Sequence, residues 1–138
     1  MHHLLPKKDV VWTYVIENKD CEGKKYVSDF FSMYRLTQTC TSKERLGHKY
    51  DMMHSGCLFY YGLTLNSLED VIKKCLYISR DEMECDAFSA MSVMDNTKEM
   101  FCDKLGFLPG DGALHWYLVN WSLGDHVIKS NDIGTILI

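Results

Sequence analysis

Several short motifs that mark catalytic and redox sites are missing from the 138-residue sequence. Its six cysteines form no C-x-x-C pair, and its six histidines show neither H-x-x-x-H nor H-E-x-x-H spacing, so we expect free thiols and no metal site. No G-x-S-x-G segment is present, and most cysteines lie within apolar runs, where a thiol is an inert packing group. These absences argue against a metalloenzyme and against serine or cysteine catalysis.

Glycine-rich phosphate-binding loops are missing as well. The sequence contains no G-x-G-x-x-G, no G-x-x-x-x-G-K-[ST], and no Arg-x-x-Gly-x-Gly of the kind with which acetyltransferases bind the CoA pyrophosphate. The sequence therefore indicates no bound nucleotide or CoA cofactor in this chain.

Long apolar runs and clustered positive charge are also absent. The longest apolar stretches, such as "CLFYYGL", are far shorter than the roughly 18 to 20 residues of a membrane-spanning helix, and no signal peptide opens the chain. We expect a cytoplasmic protein with no membrane span. The sequence has a net charge of −4 and lacks the clustered positive charge that binding to nucleic acid requires. The apolar content of 46% is typical of a folded protein, and we expect one domain over residues 1–138.

The amino-terminal half of the sequence is rich in strand-forming residues. β-Branched and aromatic residues dominate "VVWTYVIE" (10–17) and "YVSDFFSMYRL" (26–36), and the polar turn between them predicts an antiparallel hairpin. The polar segment 37–55 predicts a surface loop. The continuous apolar run "GCLFYYGL" (56–63) predicts a central strand.

A helix pattern follows this strand. Ser67 with Asp70 three residues later predicts a capped helix start, and apolar residues then recur at three- and four-residue spacing. The run "CDAFSAMSVM" (85–94) predicts a buried strand, and Asn96 with Glu99 predicts the capped start of a second, short helix.

The carboxy-terminal part of the sequence completes the pattern. Gly106 is expected to end the second helix, and two more strands are expected at "ALHWYLVNW" (113–121) and at the terminal "IGTILI" (133–138). The resulting order, β-β-β-α-β-α-β-β, predicts an α+β fold with a mostly antiparallel sheet flanked by helices.

Asp111 lies between Gly110 and Gly112, in the loop before the aromatic-rich run. The segment suits an ordinary turn, because glycine permits positive φ and aspartate favours turns. It also suits a site where another chain approaches the backbone closely while the carboxylate meets a cation or an amine. The neighbouring aromatic residues suit either core packing or a groove for an extended peptide. The residues alone leave both interpretations open.

Several segments, taken in order, resemble the C-terminal half of eukaryotic N-myristoyltransferases. They include "VVWTYVIEN", "SDFFSMYRL", "CLFYYGLT" and "DAFSAMSVMDN". The most specific is "KLGFLPGDGALHWYLVNW", which is similar to the family pattern G-D-G-x-L-x-x-Y-L-x-N-W. The resemblance covers nearly the whole chain and implies a GNAT-like half of a two-half enzyme. It also implies transfer of a myristoyl group from myristoyl-CoA, as co-substrate, to an N-terminal glycine.

The resemblance assigns roles to residues of this sequence. It implies that the carboxylate of Ile138 is the catalytic base and that the apolar tail carries this group into the interior. The implied peptide-site positions are Gly110, Asp111, Gly112 and Leu114 in the loop, Ser89 where the family commonly has asparagine, and Leu58 where it usually has a groove tyrosine. The last two replacements bear on peptide specificity.

The resemblance also implies a partner. In the family, the amino-terminal half supplies the myristoyl-CoA site and the oxyanion hole, and this chain resembles only the other half. We therefore expect N-terminal glycine peptides as substrates, and an acyl-CoA site supplied by a homodimer or by a separate amino-terminal-half chain. The alternatives are a non-catalytic module that holds such peptides without acylating them, and a truncated chain with no activity alone.

Overall fold

In the computed structural model, which describes residues 4–39, 51–117 and 119–136, a four-stranded sheet carries most of the regular structure. The elements are the strands β1 (Val11–Lys19), β2 (Lys25–Thr39), β3 (Met52–Gly62) and β4 (Ala87–Ser89), the helix α1 (Leu68–Asp81), a π-helical segment (Glu99–Lys104) and a 3₁₀ turn (Ser130–Asp132). The strand order is β1-β2-β3-β4, in which β1, β2 and β3 pair antiparallel and β4 pairs parallel to β3. The predicted α+β class is confirmed.

The chain divides into two compact units. The amino-terminal unit, Met1–Ala90, holds the sheet and α1, and the carboxy-terminal unit is Met91–Ile138.

The predicted hairpin is formed by β1 and β2. In its turn, Asp20 Oδ1 accepts hydrogen bonds from the backbone N–H groups of Glu22 (3.0 Å) and Lys24 (2.8 Å). Gly23 has φ +81°, a conformation that glycine adopts without steric strain. The polar residues of this turn therefore fix the connection between the two strands.

The predicted central strand is confirmed as β3, which pairs with β2 on one side and β4 on the other. Cys57, Leu58 and Phe59 are all buried, so both faces of the strand are covered here. A Cβ added at Gly56 would lie 2.5 Å from Ser79 Oγ of α1. The absence of a side chain at Gly56 thus lets the helix pack closely on the sheet.

The surface loop predicted over residues 37–55 was wrong at both ends, where the chain forms strand instead. Residues 37–39 belong to β2 and residues 52–55 belong to β3, and Thr37 Oγ1 lies 3.0 Å from His54 Nδ1 across the pair. These strand ends are mostly exposed, and their apolar residues, Met52 and Met53, are adjacent rather than alternating with polar ones, so the ends lack the alternating pattern by which a half-buried strand is recognised. Residues 40–50 lie outside the described residues.

Helix α1 begins as predicted. Ser67 Oγ accepts a hydrogen bond from the Asp70 backbone N–H (3.1 Å) and donates one to the Asp70 carboxylate (2.6 Å). The buried face consists of Val71, Ile72, Cys75 and Ser79, which recur at the predicted three- and four-residue spacing. Burial raises the pKa of the Cys75 thiol to about 12, so this group packs as a neutral side chain.

A buried carboxylate, which the sequence did not reveal, holds the loop between β3 and α1. Asp29 is 1% exposed and accepts hydrogen bonds from the backbone N–H groups of Thr64 (2.6 Å), Leu65 (3.0 Å) and Asn66 (3.3 Å). The Asn66 side-chain amide and the Ser28 hydroxyl also donate to it. The hydrogen bond from Ser28, followed by those from the loop, holds the pKa of Asp29 well below its usual range despite burial.

The strand predicted at 85–94 is reduced to Ala87–Ser89, so the prediction was wrong over most of its length. β4 pairs with β3 through only three residue pairs, and its two end residues are exposed. The chain turns soon afterwards, where the Val93 backbone N–H donates to the Met91 carbonyl (2.9 Å). Apolar composition alone did not reveal this turn.

The predicted cap at Asn96 was also wrong. The Asn96 side chain is buried and donates to a backbone carbonyl (2.8 Å), and Thr97 Oγ1 instead accepts from the Met100 backbone N–H (3.3 Å). The helix that follows is a π-helical segment, Glu99–Lys104. Gly106, at φ +71°, ends it as predicted.

The two strands predicted near the carboxy terminus were wrong for the described residues. Residues 113–117, 119–121 and 133–136 have no strand structure. Within the carboxy-terminal unit, no backbone hydrogen bond joins 113–117 or 119–121 to another described residue. A strand requires a hydrogen-bonded neighbour, so a sequence that favours β structure stays irregular where no neighbour is present.

Candidate functional site

The loop around Asp111 is open. Gly110, Asp111 and Gly112 are all exposed, and a Cβ added at either glycine would meet nothing within 4 Å. Neither glycine has a positive φ. Neither the backbone conformation nor local packing therefore requires glycine at these positions. The turn interpretation rested on the positive φ that glycine permits, and neither glycine adopts one.

The Asp111 carboxylate is unpaired among the described residues. No hydrogen bond or ion pair joins it to another described side chain or backbone group. Leu114, the fourth loop position, is 57% exposed. The loop thus offers two positions without a side chain, one unpaired negative charge and one apolar side chain to a molecule that approaches from solvent.

The aromatic run after this loop is exposed rather than buried. Tyr117 is 83% exposed, Trp121 is 77% exposed and Trp116 is 38% exposed, whereas Phe59 in β3 is buried. Core packing, one of the two interpretations left open for the aromatic residues after the loop, is therefore wrong for these three residues. An exposed apolar stretch of this kind is typical of a surface that another chain covers.

Ser89 lies at the end of β4 and is exposed. Its hydroxyl oxygen is 3.3 Å from the Cys57 sulfur, and the two residues are register partners in the parallel β3–β4 pair. Cys57 in turn is the register partner of Tyr34 in β2. Burial and the neighbouring Cys57 thiol raise the pKa of the Tyr34 hydroxyl well above its usual range, so Tyr34 stays protonated.

Leu58 lies away from Ser89. It is 2% exposed, and it shares a face of β3 with Gly56, the face that packs on α1. Cys57 and Ser89 lie on the opposite face. The groove role of Leu58 stays a prediction, and in this structure its side chain is inaccessible from the surface that carries Ser89.

Ile138, expected to provide the catalytic base, lies outside the described residues. The loop positions Gly110, Asp111, Gly112 and Leu114 belong to the carboxy-terminal unit, whereas Ser89 and Leu58 belong to the amino-terminal unit. The structure therefore brings the loop positions together and places Ser89 with two residues, Tyr34 and Cys57, that sequence reasoning missed. Their grouping depends on strand register, which no local motif in the sequence reveals.

The described residues contain neither a disulfide nor a metal-type cluster of side chains. The described cysteines, Cys21, Cys57, Cys75, Cys85 and Cys102, are free, as predicted. Over residues 4–39, 51–117 and 119–136, no three or more His, Cys, Asp or Glu side chains form a group suited to a metal ion. No helix in this part of the chain has the length and apolar character needed to cross a membrane.

Comparison with known proteins agrees with the resemblance. Residues 1–136 match the family model described as myristoyl-CoA:protein N-myristoyltransferase, C-terminal domain. A probable glycylpeptide N-tetradecanoyltransferase of Caenorhabditis elegans is 36% identical over 99% of this chain, and glycylpeptide N-tetradecanoyltransferase 1 of Arabidopsis thaliana is 33% identical over 99% of it. The Saccharomyces cerevisiae N-myristoyltransferase, solved with bound myristoyl-CoA, is similar over 75% of the chain with a TM-score of 0.52 and 28% identity.

The chain spans only part of each of these proteins. It corresponds to 27% of the Caenorhabditis elegans protein, 29% of the Arabidopsis thaliana protein and 25% of the Saccharomyces cerevisiae chain. The match to the family model nevertheless extends over almost every residue of the sequence. The chain therefore belongs to the N-myristoyltransferase family, within which it matches the C-terminal domain.

Proposed function

We propose that this chain is the peptide-binding, base-bearing part of an N-myristoyltransferase that transfers a myristoyl group from myristoyl-CoA to an N-terminal glycine. The observation that carries the proposal is the open Gly110–Asp111–Gly112 loop, where neither glycine is explained by the fold and the carboxylate is unpaired among the described residues. An extended peptide can approach such a backbone closely, because no Cβ intervenes. The Asp111 carboxylate would then face an amine, a basic side chain or a polar group of the peptide.

The proposed chemistry needs a base for the peptide amine. The substrate ammonium loses a proton to the carboxylate of Ile138, and the free amine attacks the thioester carbonyl. The carbon–sulfur bond then breaks, and the second proton lost from the nitrogen goes to the leaving thiolate, which is released as CoA. In water this proton transfer is uphill by about 5 to 6 kcal/mol, because an α-carboxyl group has a pKa about 4 units below that of an α-amino group. Removing both groups from water narrows the gap, since desolvation disfavours each charged form. The apolar "IGTILI" tail supports such a setting.

A partner is part of the proposal, because the acyl-CoA site is expected outside this chain. The relatives are much longer than the chain, which spans 27% and 29% of two of them. The exposed aromatic run, with Tyr117 and Trp121 each more than three-quarters exposed, offers apolar surface to such a partner. We propose an amino-terminal family half as the partner, and a second copy of this chain as the alternative.

A second candidate function is a non-catalytic module that holds N-terminal glycine peptides. The absence of any glycine-rich phosphate-binding loop from the sequence favours it, because such a chain has no recognisable site for CoA. Both candidates use the same peptide loop, and they differ in whether acyl transfer follows binding.

The peptide loop can be tested by binding alone. Fluorescence anisotropy would follow a Gly-Ser-rich octapeptide, labelled at its carboxy terminus, as the chain is added. Gly112→Ala should weaken binding about tenfold or more, because the added methyl group occupies the space through which the peptide approaches, yet it meets no atom of the chain within 4 Å.

Ser92→Ala is the control, since Ser92 is exposed, lies outside the loop and makes no side-chain hydrogen bond with the described residues. It should bind the peptide as the unchanged chain does. Equal affinity of the Gly112→Ala variant and the unchanged chain, with both folded by circular dichroism, would contradict the assignment of the loop.

A further inference from the structure

We propose that Asn96 and Asp132 are positioning residues that hold the carboxy-terminal tail, so that the carboxylate of Ile138 acts from an anchored segment of the chain. The proposal rests on the proposed function and deepens it, because it states what positions the base. Both residues and the tail belong to the carboxy-terminal unit. Ile138 itself lies outside the described residues, and the tail is held at two described residues, Ile133 and Ile136.

The first of these two anchors is made by the backbone, and the second by a side chain. The Ile133 carbonyl accepts a hydrogen bond from the Met94 backbone N–H (3.2 Å), and the Ile133 N–H donates to the Ser130 carbonyl (3.2 Å). Ile136 is 7% exposed, so its side chain is packed away from water. A chain advances at most about 3.6 Å per residue, so an anchor at Ile136 limits the movement of a carboxylate two residues later.

The backbone anchor depends on a turn that Asn96 closes. The Asn96 side chain is buried and donates to the Met91 carbonyl (2.8 Å), and the Asn96 backbone N–H donates to the Val93 carbonyl (3.1 Å). Met94 lies between these bonded residues with φ +54°, a left-handed conformation that costs free energy for a residue with a Cβ. Such a conformation persists only where neighbouring contacts enforce it. Loss of the Asn96 amide should therefore release the N–H group that holds the tail.

Asp132 closes the turn from which the tail leaves. Its carboxylate accepts a hydrogen bond from the Lys129 backbone N–H (3.0 Å), and its own N–H donates to the Lys129 carbonyl (3.0 Å). These two bonds fix the direction of the chain at the next residue, Ile133. Asp132 is exposed, so removing its carboxylate should loosen this turn without disturbing a buried region.

Anchoring of the tail bears on the proposed reaction through the position of the base. A general base must lie within hydrogen-bond reach of the proton that it removes, and a displacement of about 1 Å can lower a rate about 100-fold. The last residues of a chain usually fray unless they are tied down, which would spread a terminal carboxylate over many positions. The anchors at Ile133 and Ile136 restrict that spread.

Hydrogen exchange of the chain alone tests the anchoring. The Met94 amide, which is hydrogen-bonded to the tail, should exchange about fivefold faster in Asp132→Ala, the change typical of one lost hydrogen bond. Asp132→Asn should restore slow exchange, since its amide oxygen can still accept from Lys129. Thr97→Ala is the matched control, because it removes a hydrogen bond of the same unit, from the Met100 N–H, and leaves the tail contacts in place.

A second amide serves as the reference for opening elsewhere in the unit. The Phe107 N–H donates to the Phe101 carbonyl (2.9 Å), and it should exchange at the same rate in the unchanged chain and in Asp132→Ala. Unchanged exchange at Met94 in Asp132→Ala, or an equal rise at Met94 and Phe107, would overturn the anchoring.

Acyl transfer tests the consequence for the reaction, with myristoyl-CoA, the labelled octapeptide and the amino-terminal part of the Arabidopsis thaliana relative. Asn96→Ala and Asp132→Ala should each lower kcat at least about tenfold, whereas peptide affinity by anisotropy should stay within about twofold. Asp132→Asn should restore kcat. An unchanged kcat in Asp132→Ala, or a loss of peptide affinity as large as the loss of kcat, would overturn the positioning role.

The two measurements separate this proposal from the proposed function. If Met94 exchange responds to Asp132→Ala as expected but the unchanged chain transfers no myristoyl group, the proposed function fails, and the role of the anchors in catalysis fails with it. If the unchanged chain and Asp132→Ala transfer the group equally fast, the proposed function stands and the positioning role alone is overturned.

Discussion

The structural role of Asp29 could not be predicted from the residues next to it in the sequence. It lies within the apolar segment "YVSDFFSM", and its partners Thr64 and Asn66 are 35 and 37 residues away. No local pattern predicts this pairing, because the loop reaches Asp29 only once β3 is paired with β2. The Gly110–Asp111–Gly112 loop was identifiable because its motif is contiguous, whereas the grouping of Ser89 with Tyr34 and Cys57 depends on the register of three strands.

The buried Asp29 carboxylate should make stability depend on pH at the acidic end. Its pKa in the folded chain lies below the usual value near 4 of the unfolded chain, so the stabilisation is fully present above about pH 4 and is lost as pH falls through the folded value. Asp29→Asn should lower the thermal midpoint at pH 7, since an amide accepts fewer hydrogen bonds, and should flatten the profile below pH 4. Circular dichroism melts over this pH range measure both effects.

Asp125→Asn is the control for Asp29, because it changes an exposed aspartate. It should keep the midpoint and the pH profile of the unchanged chain. If Asp29→Asn and Asp125→Asn gave the same profile, the role of Asp29 in holding the β3–α1 loop would be wrong.

A helix or strand was predictable where its apolar pattern is accompanied, close by in the sequence, by the turn or cap that fixes its ends. The β1–β2 hairpin, β3 and α1 each combine an apolar pattern with a turn or a cap, and the structure confirms all three. The run 113–121 has an equally strong strand pattern, but its described residues have no hydrogen-bonded neighbour within their unit. A strand forms only when it is hydrogen-bonded to a second strand, so the sequence of one segment alone cannot specify it.

The cap of α1 should contribute measurably to stability. Ser67→Ala removes the acceptor for the Asp70 backbone N–H and should lower the free energy of unfolding by about 0.5 to 2 kcal/mol. Urea denaturation would measure this as a lower midpoint at an unchanged slope. Ser92→Ala is the matched control, since Ser92 is exposed and makes no side-chain hydrogen bond with the described residues, and it should leave the midpoint in place. Equal midpoints for the two variants would show that the cap is not a source of stability.

At the scale of the whole molecule, the chain matches one domain of proteins that are far longer. It spans 29% of the Arabidopsis thaliana relative, and its carboxy-terminal unit exposes apolar side chains such as Tyr117, Val119 and Trp121. Apolar side chains in contact with water carry a free-energy cost that a partner surface would remove. The irregular backbone and the exposed side chains of this unit are both consistent with the proposed amino-terminal half.

Hydrogen exchange tests this proposed partner. In the chain alone, the amides of residues 113–117 and 119–121 should exchange rapidly, because they have no backbone hydrogen bonds within their unit. Adding the amino-terminal part of the Arabidopsis thaliana relative should slow exchange at these amides at least tenfold, while amides in α1 serve as the internal control. Unchanged exchange at 113–117 and 119–121, under conditions where the two chains bind, would mean that the partner covers another surface.

Acyl transfer tests the central claim most directly. Mass spectrometry would follow a Gly-Ser-rich octapeptide incubated with myristoyl-CoA, the amino-terminal part of the Arabidopsis thaliana relative, and either this chain or the same chain extended by one alanine after Ile138. We expect the peptide to gain one myristoyl group with the unextended chain, and no gain with the extended chain, because the carboxylate of Ile138 would then be an amide. No gain with either chain, or an equal gain with both, would contradict the account of this chain as the base-bearing half of the enzyme.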